Sequence, residues 1–353
     1  MVKSRQWILA NKPTALPTLT GDNPTFKLTE TDLPDPKEGE VLVKPTYISN
    51  DPAQRGWISP EAHPDRLYVA PAKTGEPMPA RALAEVVESK AEGYKQGDWV
   101  FASAGWTEFA VLPAKALQPV PELEGGLSKT LYLGALGGTG LTAYFGMLDV
   151  GQVTKDDIVV ISGAAGATGS MCVQIAKKLV GCKKVIGIAG SADKCRWVEG
   201  LGADLCLNYK SESFAEDLKK ATSGPDGFAN VYYDNVGGEI LDLMFTRMAR
   251  HGRVVACGAI ANYNSMSDRA TGLKNWFEVI QMRLQIRGFI VIDYLHRANE
   301  AREAFQKMLK EGKLQIEGGE HVVKGDFEEI PKTWLKLFEG GNQGKLVTEV
   351  ARL

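Results

Sequence analysis

Histidine, cysteine and net charge are what this 353-residue chain has little of. Its 5 cysteines, at 172, 182, 195, 206 and 257, all lie in the central part, and residues 1–125 contain none. An odd count with no C-x-x-C pair excludes a disulfide framework and a structural zinc clip, and the small and apolar neighbours mark the cysteines as buried, reduced thiols. Of the 4 histidines, His63 sits in a proline-rich loop, while His251, His296 and His321 are scattered without ligand spacing. With 41 basic and 43 acidic residues the net charge is −2, which leaves no basic footprint for nucleic acid or an anionic membrane. No run approaches the ~18 consecutive apolar residues of a membrane helix. Residues 1–7 lead into no apolar signal core, so a cytoplasmic chain is expected.

What is present changes character along the chain. Up to about residue 125, short alternating runs at 6–9, 26–30, 41–45, 82–87, 96–102, 105–112 and 117–120 read as antiparallel strands. Between them, 50–56 reads as a loop and the proline-rich 60–79 stretch as irregular. From residue 127 the helix-like runs 131–136 and 141–148 follow. Strand-like runs at 158–161, 184–189, 204–207, 230–234, 253–257 and 284–292 then alternate with helix-like runs at 169–180, 191–201, 212–221, 238–249 and 273–283. That alternation predicts an α/β fold with a doubly wound parallel sheet. Amphipathic runs at 298–310 and 328–338 and a strand at 344–350 close the chain.

The organising stretch is 158–170, a β-branched strand that breaks into a turn of small residues and opens a helix. Strand, glycine turn and helix present backbone N–H groups to a pyrophosphate. Against the G-x-G-x-x-G fingerprint, Gly166 and Gly169 hold the second and third positions, while Ala164 replaces the first and Gly163 stands one step earlier. The second strand carries no carboxylate at its tip; Ser191 and Lys194 follow as donors suited to a 2′-phosphate, which favours NADP(H) over NAD(H). Asp193 reads as a first-turn residue complementing the helix dipole.

Several further motifs carry a family resemblance. Ser49-Asn-Asp-Pro-Ala-Gln-Arg-Gly, Leu136-Gly-Gly-Thr-Gly-Leu-Thr-Ala-Tyr-Phe-Gly, Ala164-Ala-Gly-Ala-Thr-Gly-Ser, Asp234-Asn-Val-Gly-Gly, Cys257-Gly-Ala-Ile-Ala-Asn-Tyr-Asn and Gly341-Asn-Gln-Gly-Lys occur in order over nearly the whole chain. The chain resembles the medium-chain dehydrogenase/reductase superfamily, and within it the zinc-independent prostaglandin reductase and alkenal double-bond reductase group. The resemblance implies a Rossmann NADP-binding domain at 126–296. It also implies a β-rich, GroES-like substrate domain formed by 1–125 and 297–353. It places Gly166, Ala167, Thr168 and Gly169 on the pyrophosphate, and Lys194 and Tyr209 by the 2′-phosphate. Asn235, Cys257, Gly258, Ala259, Ile260, Tyr263, Phe289, Ile290, Val291 and Asn342 would surround the ribose and nicotinamide. Asn235 and Tyr263 also follow the ends of successive predicted strands, where open α/β sheets bind ligands.

Zinc dehydrogenases of the wider superfamily draw cysteine, histidine and carboxylate ligands from the N-terminal module, which here has no cysteine, so no catalytic metal is expected. Reducing an activated C=C bond needs only a hydrogen-bond donor where charge develops on the conjugated oxygen. The expected activity is NADPH-dependent reduction of α,β-unsaturated aldehydes or ketones, with Tyr263 donating to the enolate oxygen. A quinone oxidoreductase of the same fold, a reductase of acyl-thioester intermediates and a non-catalytic NADPH-binding protein are the alternatives. Where the resembling enzymes often carry an aromatic residue after Asp51-Pro52, Ala53 stands here; Trp57, Tyr68 or Trp106 would fill that space or belong to the core. Arg55 and Arg81 are candidates for a substrate carboxylate, but surface or structural pairing is the preferred reading. The apolar 284–292 edge strand predicts a homodimer with its sheet continued across a two-fold axis.

Overall fold

The computed structural model describes residues 1–224, 227–265 and 272–350. The chain packs as two compact units, Met1–Leu133 with His321–Leu353, and Gly134–Glu320. Both divisions fall later than the expected 125/126 and 296/297. Residues beyond 297 stay with the second unit because Phe305 meets the Tyr144 ring edge-on at 5.8 Å and Gln174 exchanges hydrogen bonds with the Gln315 backbone.

The first unit opens with an antiparallel pair, β1 (Val2–Leu9) and β2 (Phe26–Leu33). Next come β3 (Glu40–Ser49), the single-turn helix α1 (Gln54–Trp57) inside the expected loop, and β4 (Ala82–Ser89). The short strands β5 (Trp99–Ala102), β6 (Ala110–Pro113) and β7 (Gln118–Pro119) complete this part. The stretch from 60 to 79 forms no strand, as its prolines remove ladder donors.

The second unit alternates strand and helix. Its elements are α2 (Gly138–Phe145), β8 (Ile158–Ile161), α3 (Ala167–Gln174), β9 (Lys184–Ala189), α4 (Ala192–Gly200), β10 (Leu205–Asn208) and α5 (Phe214–Ala221). After them come β11 (Ala229–Asp234), α6 (Gly238–Phe245), β12 (Met248–Ala256), α7 (Trp276–Gln281), β13 (Gln285–Gly288) and α8 (Ala298–Lys310). The chain then adds β14 (Glu320–Gly325), unanticipated in the sequence, α9 (Ile330–Glu339) and β15 (Lys345–Val350) to the first unit. There the sheet order is β14-β15-β3-β4-β5-β7, with β6 paired to β3.

In the second unit six parallel strands run β10-β9-β8-β11-β12-β13. This is the doubly wound order, and its reversal lies between β8 and β11, the place where such sheets bind ligands at their carboxyl ends. All residues of β8 are buried, as a strand covered on both faces requires. Leu218, Met244, Phe245 and Val279 bring α5, α6 and α7 onto one face, against Val160, Ile186 and Tyr232. Val198 of α4 covers the other, so close to Gly187 that a Cβ there would stand 2.6 Å from its methyl.

Two further elements depart from expectation. The helix expected over 238–249 stops at Phe245, and β12 begins at Met248, reaching β11 through a bulge in which His251 has φ 63°. The long apolar strand expected over 284–292 is β13 alone, all four residues exposed. Phe289 leaves the sheet to pack on Gly146 and edge-on to Tyr294, and Val291 begins a 3-10 turn to Arg297.

Candidate functional site

The site is built from the carboxyl ends of the parallel strands of the second unit. After β8 the chain turns through 162–166. Gly163 has φ +57°, a left-handed conformation, so it performs the tight turn that the fingerprint assigns to its first glycine, and Ala164 is buried one step on. Gly166 is the N-cap of α3 and gives that helix no side-chain cap; no acidic residue stands in its first turn. Its first N–H groups are therefore left to a ligand, with Ala167 and Thr168 half-buried behind them. A Cβ on Gly169 would stand 2.2 Å from the Gly163 carbonyl oxygen, so helix and turn approach as closely as only glycine permits. These features fit a pyrophosphate.

The tips of β9 and β10 form the second part. Ser191 caps α4, its hydroxyl accepting the Lys194 N–H at 3.3 Å. Tyr209 lays its ring on Gly190, where a Cβ would stand 3.0 Å away, and remains 45% exposed. Lys210 places its ammonium 5.9 Å from that ring centre. Burial, and after it the charge of Lys210, hold the Lys194 ammonium below the ordinary lysine range. Asp193, the nearest acid in sequence, pairs instead with Arg196 on the outside of α4. Lys194 thus lies within electrostatic reach of Lys210, an arrangement that a phosphate dianion would satisfy. Lys210 was missed in the sequence, although its place directly after Tyr209 and the lack of an acid at either strand tip were signals for it.

The third part is the tips of β11 and β12. Asn235 donates from Nδ2 to the Ser162 carbonyl at 2.7 Å, which fixes its amide. Cys257 is half-buried, and burial pushes its thiol up to about 11. Gly258, Ala259 and Ile260 are half-buried and lead through a 3-10 turn to Tyr263, whose hydroxyl accepts the Ala259 N–H at 3.4 Å. Phe289, Ile290 and Val291 follow the tip of β13, half-buried, but no longer as part of a strand.

Asn342 belongs to the first unit, in the turn before β15, where its Nδ2 donates to the Gly344 carbonyl at 3.1 Å. In that unit Arg55 is wholly buried and donates to the Pro13 and Ala15 carbonyls at 3.0 and 2.8 Å, a structural use. Arg81 contributes to the field around Asp51. Burial pushes the Asp51 carboxyl up, but Lys345 at 2.5 Å, Ser49 and Arg81 outweigh it and hold it below the usual range. Trp106 is core, packed on Phe26 and Trp334, whereas Trp57 donates to the Tyr68 hydroxyl at 3.2 Å. Among the described residues, no three histidine, cysteine or acidic side chains come together as a metal site.

A doubly wound sheet with an uncapped glycine turn at its switch point defines a dinucleotide-binding class of protein. Residues 5–120 match a family model described as the N-terminal domain of oxidoreductase, and residues 167–311, all in the second unit, match one described as zinc-binding dehydrogenase. The chain is 38% identical to prostaglandin reductase 1 of Bos taurus over 99% of its own length and 100% of that protein's. It is 36% identical to an NADPH-dependent curcumin reductase of Escherichia coli, covering 99% of this chain and 97% of that one. Its fold superposes on CurA from Vibrio vulnificus in complex with NADPH with a TM-score of 0.87, at 33% identity, covering 99% and 100% of the two chains. The chain belongs to the medium-chain dehydrogenase/reductase superfamily, in the zinc-independent group of these reductases.

Proposed function

We propose that this protein is an NADPH-dependent reductase of the C=C bond of α,β-unsaturated aldehydes and ketones. The observation that carries the reading is the 257–263 loop. It folds Tyr263 back until its hydroxyl meets the Ala259 N–H at the tip of β12, in the same row of strand ends as the glycine turn. Gly166 to Gly169 would hold the pyrophosphate, Ser191, Lys194 and Tyr209 the 2′-phosphate, and Asn235, the 257–263 loop and Phe289 to Val291 the ribose and nicotinamide. Bound there, NADPH would supply the hydride to the β-carbon, and solvent the proton that completes the reduction at the α-carbon. The Tyr263 hydroxyl can both accept and donate a hydrogen bond. Accepting from Ala259, it donates its own proton in a hydrogen bond to the carbonyl oxygen of the substrate, where negative charge develops. The names borne by the curcumin and prostaglandin reductases support a conjugated substrate.

The test is NADPH consumption with an aliphatic enal, an aryl enone and benzoquinone, beside NADP+ reduction by a primary alcohol. Turnover of the enal or enone and none of the alcohol is expected. Quinone turnover without either would move the protein to the quinone reading. Tight NADPH binding with no turnover at all would make it a binding protein.

The same reading includes a homodimer joined along β13. This strand stands at the edge of its sheet, and α7, just before it, exposes Trp276 by 49%, Phe277 by 63% and Ile280 by 62%. An edge ladder beside apolar side chains is the pairing surface of a sheet continued across a two-fold axis. Light scattering should give twice the chain mass, and Phe277→Glu with Ile280→Glu should halve it; a monomeric wild type removes the dimer. Among the described residues no helix is long and apolar enough to cross a membrane. We place the protein in the cytoplasm, in keeping with its five free cysteines, and recovery in the membrane fraction would count against this.

A further inference from the structure

Asp234 is the last residue of β11 and 2% exposed, and nothing in the proposed chemistry uses it. One of its carboxylate oxygens, Oδ1, gathers four donors: the Tyr232 hydroxyl at 2.8 Å, and the Ser162 hydroxyl, the Val236 N–H and the Gly237 N–H at 3.0 Å each. A buried carboxylate is costly unless its lone pairs are filled, and hydrogen bonds to an ionised acceptor are the strong ones. The Ser162 hydroxyl in turn accepts the Asn235 N–H at 2.9 Å, and the Ser162 carbonyl accepts the Asn235 side chain. With Nδ2 committed in this way, Asn235 presents Oδ1, an acceptor, on its other side.

The backbone of the same residues carries the Tyr263 loop. The Asp234 carbonyl accepts from Cys257 and Gly258 at 2.9 and 3.0 Å, the Asn235 carbonyl from Ile260 at 3.5 Å and the Val236 carbonyl from Ala261 at 3.1 Å. A side chain on Gly258 would stand 3.0 Å from the Asn235 carbonyl oxygen, so the loop lies flat on the 234–236 turn. Whatever sets that turn sets the height of Tyr263. Burial, and next the Asp234 charge, push the Tyr232 hydroxyl well above the ordinary phenol range, so it stays a donor.

We infer that Asp234 is a positioning residue: with Ser162 and Tyr232 it fixes the glycine turn, Asn235 and the 257–263 loop in register with one another. Its acceptor presentation at Asn235 suits a ribose hydroxyl or an amide N–H of a bound nicotinamide nucleotide. The inference rests on the proposed NADPH reductase for its meaning, but its test does not require turnover.

The experiment compares Asp234→Asn, Ser162→Ala and Tyr232→Phe with the wild type by NADPH titration and by hydrogen exchange of the backbone amides. Asp234→Asn keeps the shape and one acceptor oxygen but removes the charge that strengthens the four bonds to Oδ1. It should raise the NADPH Kd about ten-fold or more, the scale of one or two charge-assisted bonds lost. Exchange should accelerate in 162–166, 235–238 and 257–263 while β9 and β10 keep their protection. Ser162→Ala should show the same pattern, about three- to ten-fold. Where an enone is turned over, Tyr263→Phe should cost far less in an Asp234→Asn background than in the wild type, a coupling that a merely structural loss would not produce. A Kd within about two-fold of wild type, with exchange of 257–263 unchanged, overturns the inference. Should Asp234→Asn fail to fold, the same two readouts on Ser162→Ala and Tyr232→Phe decide it. Absence of enone turnover in the wild type removes the proposed reaction and leaves the positioning role to binding and exchange.

Discussion

The two ends of the candidate cofactor site are made in opposite ways. At the tips of β9 and β10 the functional groups are half-buried or exposed, and they act as charges: Lys194, Lys210 and the Tyr209 ring lie within reach of solvent. At the tips of β11 and β12 they are tied into hydrogen bonds with Asp234 and Ser162. Selection of a 2′-phosphate needs net positive charge, which tolerates loose placement. Stabilising a developing oxyanion needs a donor within hydrogen-bond distance of one atom, which does not. Substitution of the donor Tyr263 should therefore act on kcat, and substitution of the lysines on KM. The largest expected effect is at the ordered end. Tyr263→Phe should lower kcat on an enone by ~10–1000-fold, the cost of one oxyanion donor, with little change in the KM for NADPH. Unchanged turnover would remove Tyr263 from the chemistry and dissolve the contrast.

At the charged end the effect falls on binding. Lys194→Ala should raise the KM for NADPH ~10–100-fold, as one charge-assisted bond of ~1.5–3 kcal/mol does, and leave kcat near wild type. Lys210→Ala, at a more exposed position, should raise it about two- to five-fold. Both effects should shrink as salt rises, because exposed charges are screened beyond ~10 Å at 0.1 M, whereas the loss in Tyr263→Phe should not respond to salt. Equal use of NADH and NADPH by the wild type would contradict the role of both lysines.

The contrast also explains what could be read from the sequence. The alternation of strands and helices and the glycine turn were legible because each is local: a period of apolar residues, a turn composition. Gly163 took over the first glycine of the fingerprint one residue early, a shift visible in the sequence but meaningful only with its positive φ. The task of Asp234 is not legible within its motif, since its partner Ser162 stands 72 residues earlier in another loop. The ladder ends at Gly288, short of the apolar run 284–292, because an apolar run does not say which residues stay in the ladder. Phe289 finds its partners in Gly146 and Tyr294, far away or across a turn in sequence. Arg55 could have been a substrate ligand by residue type; only the Pro13 and Ala15 carbonyls around it settle its use.

The smallest expected effect separates the two lysines from each other. Lys194 sits below the ordinary lysine range because burial disfavours its charge and Lys210 repels it. A group whose pKa is lowered loses its proton earlier as pH rises, so NADPH affinity should begin to fall at a lower pH than for an exposed lysine. The loss should appear in kcat/KM for NADPH, which reports the free enzyme, and not in kcat at saturating NADPH, since a bound phosphate returns the proton to Lys194. Removing the repulsion should move the alkaline limb upward. In Lys210→Ala, affinity would start lower at neutral pH and persist to higher pH, crossing the behaviour expected of a simple lost contact. A limb that stays in place would mean that the two ammonium groups do not share one anion, and that Lys194 alone supplies the charged end.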